Sequence, residues 1–149
     1  MIKKNIFDHR GKDTELNQFK LAVCDNQGLQ FQDCQWDFEV DILDFIEKFM
    51  NSDVAASMDN TLSPFHNTGT LQIGESLLKE CKVNPFKGEY RNSDILYWTG
   101  YIYRYWVWWL GMSSKEVYAK ADYETMSTLY SYLHTVSPEL AISKLNENR

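Results

Sequence analysis

Arg104 is the side chain with the sharpest chemistry in this sequence of 149 residues. It is the only formal charge between Asp94 and Lys115. A guanidinium does not lose its proton, so burying one requires a carboxylate or several other acceptors. Three roles are open: a structural Arg stacked on Tyr101 or Trp108 and paired with an acid from another helix, a ligand-binding or catalytic Arg, or an interface anchor. The histidines are His9, His66 and His134, the last at a predicted helix end, where a cation helps the dipole. A small enzyme, a nuclease or transferase, would have to use Arg104 with His134. Asp37, Asp41, Asp44 and Glu47 recur about one turn apart. On an open surface such carboxylates keep near-normal pKa values, which suits docking of a basic partner better than acid–base catalysis. Cys24, Cys34 and Cys81 form no C-x-x-C pair and are odd in number, so neither a disulfide framework nor a metal site is expected. No H-E-x-x-H, G-x-S-x-G, P-loop or G-x-G-x-x-G occurs, and no cofactor or catalytic residue is expected.

Overall charge narrows the partner class. The chain carries a net charge of -6 and a pI near 5.0, which suits a basic partner and opposes general binding to phosphate backbones. Residues 52–82 bend toward a helix-turn-helix only through a loop far longer than that motif uses. DNA binding by the free protein is therefore not expected.

The elements that must hold these side chains are helical. Residues 93–112 contain Trp98, Trp106, Trp108, Trp109, Tyr97, Tyr101, Tyr103 and Tyr105. They predict one helix of about five turns, with Ser93 as cap and Gly111 as stop. Ile95, Trp98, Ile102, Trp106 and Trp109 make one face, of which Trp98, Ile102, Trp106 and Trp109 are predicted to be buried; Tyr97, Tyr101, Tyr105 and Trp108 make a second beside Arg104. Residues 95–112 approach membrane-spanning length, but Arg104 and the tyrosines argue against a span. Residues 36–50 predict a second strong helix, with Phe38, Ile42, Phe45, Ile46 and Phe49 inward and Asp37, Asp41, Asp44 and Lys48 outward. Weaker patterns predict a helix over 14–24, with a strand over 19–24 as the alternative, a connection over 25–35, a short helix 54–58, a loop 59–69 and a helix 70–82, with Leu71, Leu77, Leu78 and Cys81 apolar. Good start signals open three further helices at Lys115, Tyr123 and Pro138, including a Ser113–Glu116 capping box. The expected fold is all-α, a single compact domain of about six to seven helices around one aromatic central helix, with residues 1–13 as a loose arm. The N-terminus lacks an apolar signal segment, so a cytoplasmic location is expected. Nothing in the pattern specifies an oligomeric state.

Four stretches carry a resemblance. Y-W-T-G-Y-I-Y-R-Y-W (97–106), S-S-K-E-V-Y-A-K-A-D-Y-E-T-M (113–126), Y-S-Y-L-H-T-V-S-P-E-L-A-I (130–142) and F-M-N-S-D-V-A-A-S-M-D (49–59) resemble a family of small bacterial antitoxins of toxin–antitoxin operons. They cover roughly half of the chain; residues 1–35 lie outside the resemblance. It implies a protein without an active site that neutralises a co-encoded protein toxin by direct binding. A phage-type inhibitor or small regulator would be the same kind of object. Candidate partner-binding residues are Asp37, Asp41, Asp44 and Glu47, with Tyr97, Tyr101, Arg104 and Tyr105 of the central helix.

Overall fold

The structure, a computed structural model, describes residues 16–147; the expected arm 1–13 and the Thr14 cap lie outside them. Two long antiparallel helices, α1 (Gln18–Asp37) and α5 (Ser93–Leu110), form its spine. Around them lie α2 (Ile42–Met50), α3 (Asp53–Met58), α4 (Thr70–Glu80), α6 (Ser114–Lys120), α7 (Tyr123–Leu133) and α8 (Pro138–Asn146), with a 3₁₀ turn at Pro64–Asn67. The fold is all-α. Eight α-helices among the described residues slightly exceed the expected number. None is long and apolar enough to cross a membrane.

Helix α5 forms where its pattern predicts, with one difference at each level of detail. Asn92, not Ser93, is the cap, its side chain accepting from the Ile95 N–H; Gly111 stops the helix at φ 66°. From Ile102 to Trp108 every side chain is buried, because neighbours pack on all sides. Trp98 and Trp109, expected in the core, are only half-buried at its edge.

Helix α1 is the main departure. Residues 25–35 are not a connection but its middle, running unbroken from an Asn17 cap. Its buried face includes Gln27, Gln30 and Gln35, whose amides donate to backbone carbonyls of Gly100, Thr70 and Arg91. Each buried amide is thus partnered through its nitrogen, which makes burial tolerable. Gly28 sits where α1 meets α5 backbone to backbone: a Cβ there would lie 2.6 Å from the Tyr97 ring and 2.8 Å from the Tyr97 carbonyl oxygen. Gly100 faces it across the crossing.

The helix expected over 36–50 is two helices. Asp37 ends α1, and Glu39 turns the chain at φ 53° before Asp41 opens α2. That link is stitched to residues 84–86: Val40 bridges Pro85, Asp41 N–H donates to Asn84 O, and Phe86 N–H donates to Glu39 O. In α4, Ile73, Gly74 and Leu77 point inward, while Leu71, expected on the apolar side, is 54% exposed. The three C-terminal helices start at their expected caps, with the Ser113–Glu116 box formed.

Candidate partner-binding site

Arg104 is fully buried and joins three helices. Its Nη1 donates to Asp59 Oδ1 at 2.7 Å and its Nε to Gln27 Oε1 at 3.0 Å. The guanidinium lies 5.5 Å over the Trp108 ring. Asp59, just past the end of α3, also accepts from the Ser114 N–H and hydroxyl, and its backbone carbonyl accepts from Trp108 Nε1. The structural role thus describes Arg104: it stacks on Trp108 rather than Tyr101, and the acid is Asp59. Arg104 presents no surface to a partner. Asp59 was invisible in the sequence, since no spacing links it to an arginine 45 residues later. Beside this network an open cleft of about 760 Å³ runs along Lys20, Asn60 and Trp108.

Arg104 and His134 are not brought together. His134 ends α7, with Nδ1 2.7 Å from the Tyr130 carbonyl and its ring stacked on Tyr130. His66 lies against Trp108 and Phe19, its Nε2 3.0 Å from the carbonyls of Met58 and Asn60. Two carbonyls at one nitrogen fix that nitrogen as the donor, and burial holds the imidazole below its ordinary pKa. Among the described residues no cluster of His, Cys, Asp or Glu is arranged to hold a metal ion.

The acidic face is real but differently composed. Asp37 is cut off from it by the turn at Glu39, so the ladder Asp37–Asp41–Asp44 does not exist. Asp41, Asp44 and Glu47 instead line a groove of about 290 Å³ with Asp122 and Glu124 from the start of α7. Tyr118 and Tyr123 wall it. Asp44 accepts from Lys48 and from the Asn84 N–H, so it also holds the 82–84 loop. Asp41 pairs with the exposed Lys87 at 3.4 Å. Glu47, Asp122 and Glu124 have no ion pair among the described residues. Their presence is felt at Tyr118, whose phenol is pushed up to about 12, first by burial and then by Glu47, Asp122 and Glu124. In the sequence Asp122 is legible only as the cap of the helix at Tyr123, and Glu124 only as part of the stretch 113–126. That signal does place negative charge at a helix N-terminus, but it does not say what faces it.

The tyrosines of α5 form a ladder. Tyr97, Tyr101 and Tyr105 follow one another with ring centroids 6.0 and 6.1 Å apart. The Tyr97 hydroxyl donates to Asp25 of α1, and the Tyr105 hydroxyl to Glu139 of α8. Burial raises all three phenol pKa values, and the carboxylate hydrogen bonds add to it at both ends. Tyr105 is buried, while Tyr97 and Tyr101 keep partial exposure. Much of this stripe therefore binds helices of its own chain. No protein-family model, curated protein or solved structure matches this chain.

Proposed function

We propose that the protein is an antitoxin-like binding protein that neutralises a co-encoded toxin by covering a basic surface on it. The observation that carries the reading is the groove between α2, α6 and α7, where five carboxylates converge and, among the described residues, only Asp41 and Asp44 have lysine partners. Such a surface favours a cationic partner and speeds its encounter. The resemblance supports the same reading from another side: the stretch 113–126 contains four groove residues, Tyr118, Asp122, Tyr123 and Glu124. Arg104, the residue an enzyme would need, is spent on holding α1, α3 and α5 together.

The test is co-expression with the neighbouring reading frame, scored by growth rescue and co-purification. Glu47→Lys/Glu124→Lys is the informative variant, since both side chains are exposed and neither makes a hydrogen bond among the described residues. Folding should be unchanged within about 0.5 kcal/mol per site. Association with the toxin should slow by about tenfold at low ionic strength and the difference should shrink with salt. A wild type that neither rescues growth nor co-purifies refutes the antitoxin reading. Rescue by wild type with unchanged association of the double variant moves the interface away from the groove.

A further inference from the structure

At the other end of α7 lies a second concavity, of about 420 Å³, between α1, α5 and α7. Its walls are aromatic. Trp98 and Tyr130 meet edge to face, with ring centroids 5.5 Å apart at 76°, so their planes form a corner. His134 stacks on Tyr130 at 4.2 Å and extends that wall. Its rim is acidic. Asp25 is oriented by the Tyr97 hydroxyl, and Asp94, in the first turn of α5, has no cationic partner among the described residues. Among the described residues no lysine or arginine lines the notch.

Two carboxylates repel an anion, and aromatic faces give a hard metal ion no ligands. What matches ring faces beside carboxylates is an organic cation. A guanidinium matches best, because it is planar, stacks on a ring and donates in a fork to a carboxylate while stacked. From this geometry we infer that the notch receives an arginine side chain of a basic protein partner, seated against Trp98 and Tyr130 with Asp94 and Asp25 at its donors. The chemistry of the notch stands by itself; only the identification of the partner as a toxin rests on the proposed function. The charge complementarity is local, since this notch and the acidic groove lie at opposite ends of α7.

The experiment uses ¹⁵N-labelled full-length protein titrated with hexa-arginine amide, read at the Trp98 indole N–H. Hexacitrulline amide, which keeps the shape and loses the charge, is the control. Hexa-arginine should shift the Trp98 indole saturably and hexacitrulline should not. Asp94→Asn should weaken the fitted affinity about tenfold, as expected for loss of one charge-assisted contact. Glu75→Gln, at an exposed carboxylate of α4 that lines neither the notch nor the groove, should leave the Trp98 response in place. A Trp98 resonance that ignores hexa-arginine, that answers both peptides equally, or that responds unchanged in Asp94→Asn overturns the inference. These outcomes are independent of toxin co-purification. Arginine binding without toxin binding would sink the antitoxin reading alone, and toxin binding with a silent Trp98 would sink the notch alone.

Discussion

Asp59→Ala should be among the most damaging single substitutions in the molecule, and Arg104→Met should partly repair it. Among the described residues Asp59 is the only carboxylate partnering Arg104, which is fully buried, so its removal leaves a buried cation with Gln27 as its one remaining side-chain acceptor there. Breaking a buried ion pair from one side typically costs about 3–5 kcal/mol. The two Ser114 donors lose their acceptor as well, at about 1 kcal/mol each. Opposing this, the Asp59 side chain is 19% exposed at the edge of the open cleft, and solvent entering there relieves part of the penalty. The net cost should fall at about 3 kcal/mol.

The second substitution tests the cause. If the damage comes from an orphaned charge, replacing that charge with an apolar side chain of similar length removes the penalty. Asp59→Ala/Arg104→Met should then be more stable than Asp59→Ala by about 1–2 kcal/mol, although it has lost more native contacts. Urea unfolding followed by far-UV circular dichroism measures both, with the slope checked for constancy so that midpoints can be compared. A double variant less stable than Asp59→Ala would refute the reasoning. It would mean that Arg104 contributes through packing on Trp108 and not through its charge.

Two further outcomes follow from the spine and from the buried thiols. Gly100→Ala should destabilise by about 1–2 kcal/mol despite the roughly 1 kcal/mol helix preference of Ala, because the new Cβ would lie 2.6 Å from the Gln27 carbonyl oxygen and 3.0 Å from the Gly28 Cα, both unyielding backbone. An unchanged or raised melting temperature would contradict that close approach. The protein should also lose stability in alkali: burial lifts the Cys24 thiol from an ordinary 9.0 to about 12, so between those values the unfolded thiol has released a proton that the folded one keeps. Stability from this group is whole below about pH 9 and falls as pH rises, by up to about 1.4 kcal/mol per pH unit. Urea midpoints should drop over that interval, and less steeply in Cys24→Ala; a flat profile would refute the linkage.

How much of this was legible depended on which signal each element uses. Helix α5 and the three C-terminal helices announce themselves by caps and by aromatic spacing, and both are local. Helix α1 buries Gln27, Gln30 and Gln35 through amides that reach carbonyls 73, 40 and 56 residues away, and it presents Gly28 to a partner helix. It therefore has almost no apolar periodicity, and its glycine reads as a turn. The break between α1 and α2 was hidden for the opposite reason. Phe38 and Ile42 happen to continue the apolar stripe of α2 backward through a residue, Glu39, whose positive φ leaves no mark in composition. The groove was half legible: Asp41, Asp44 and Glu47 lie at helical spacing, whereas Asp122 and Glu124 join them only through the packing of α7 beside α2.

Arg104, Tyr103 and the thiols of Cys24 and Cys34 are all interior. Tyr103 donates to the Ala121 carbonyl, and burial holds both thiols in the unreactive protonated form. Helix α7 gathers surface carboxylates and exposed or partly exposed rings at its two ends: Asp122 and Glu124 at its start, Tyr130 and His134 at its finish. Eleven helical residues separate the ends by about 16 Å. A single basic domain can span that distance. If one basic partner engages both proposed sites, the second contact forms at high effective concentration, and two weak, salt-sensitive contacts would add to a stable complex. Changing either site alone should therefore weaken binding moderately, and changing both should cost far more than either, which a double-variant cycle across Asp94 and Glu124 would measure.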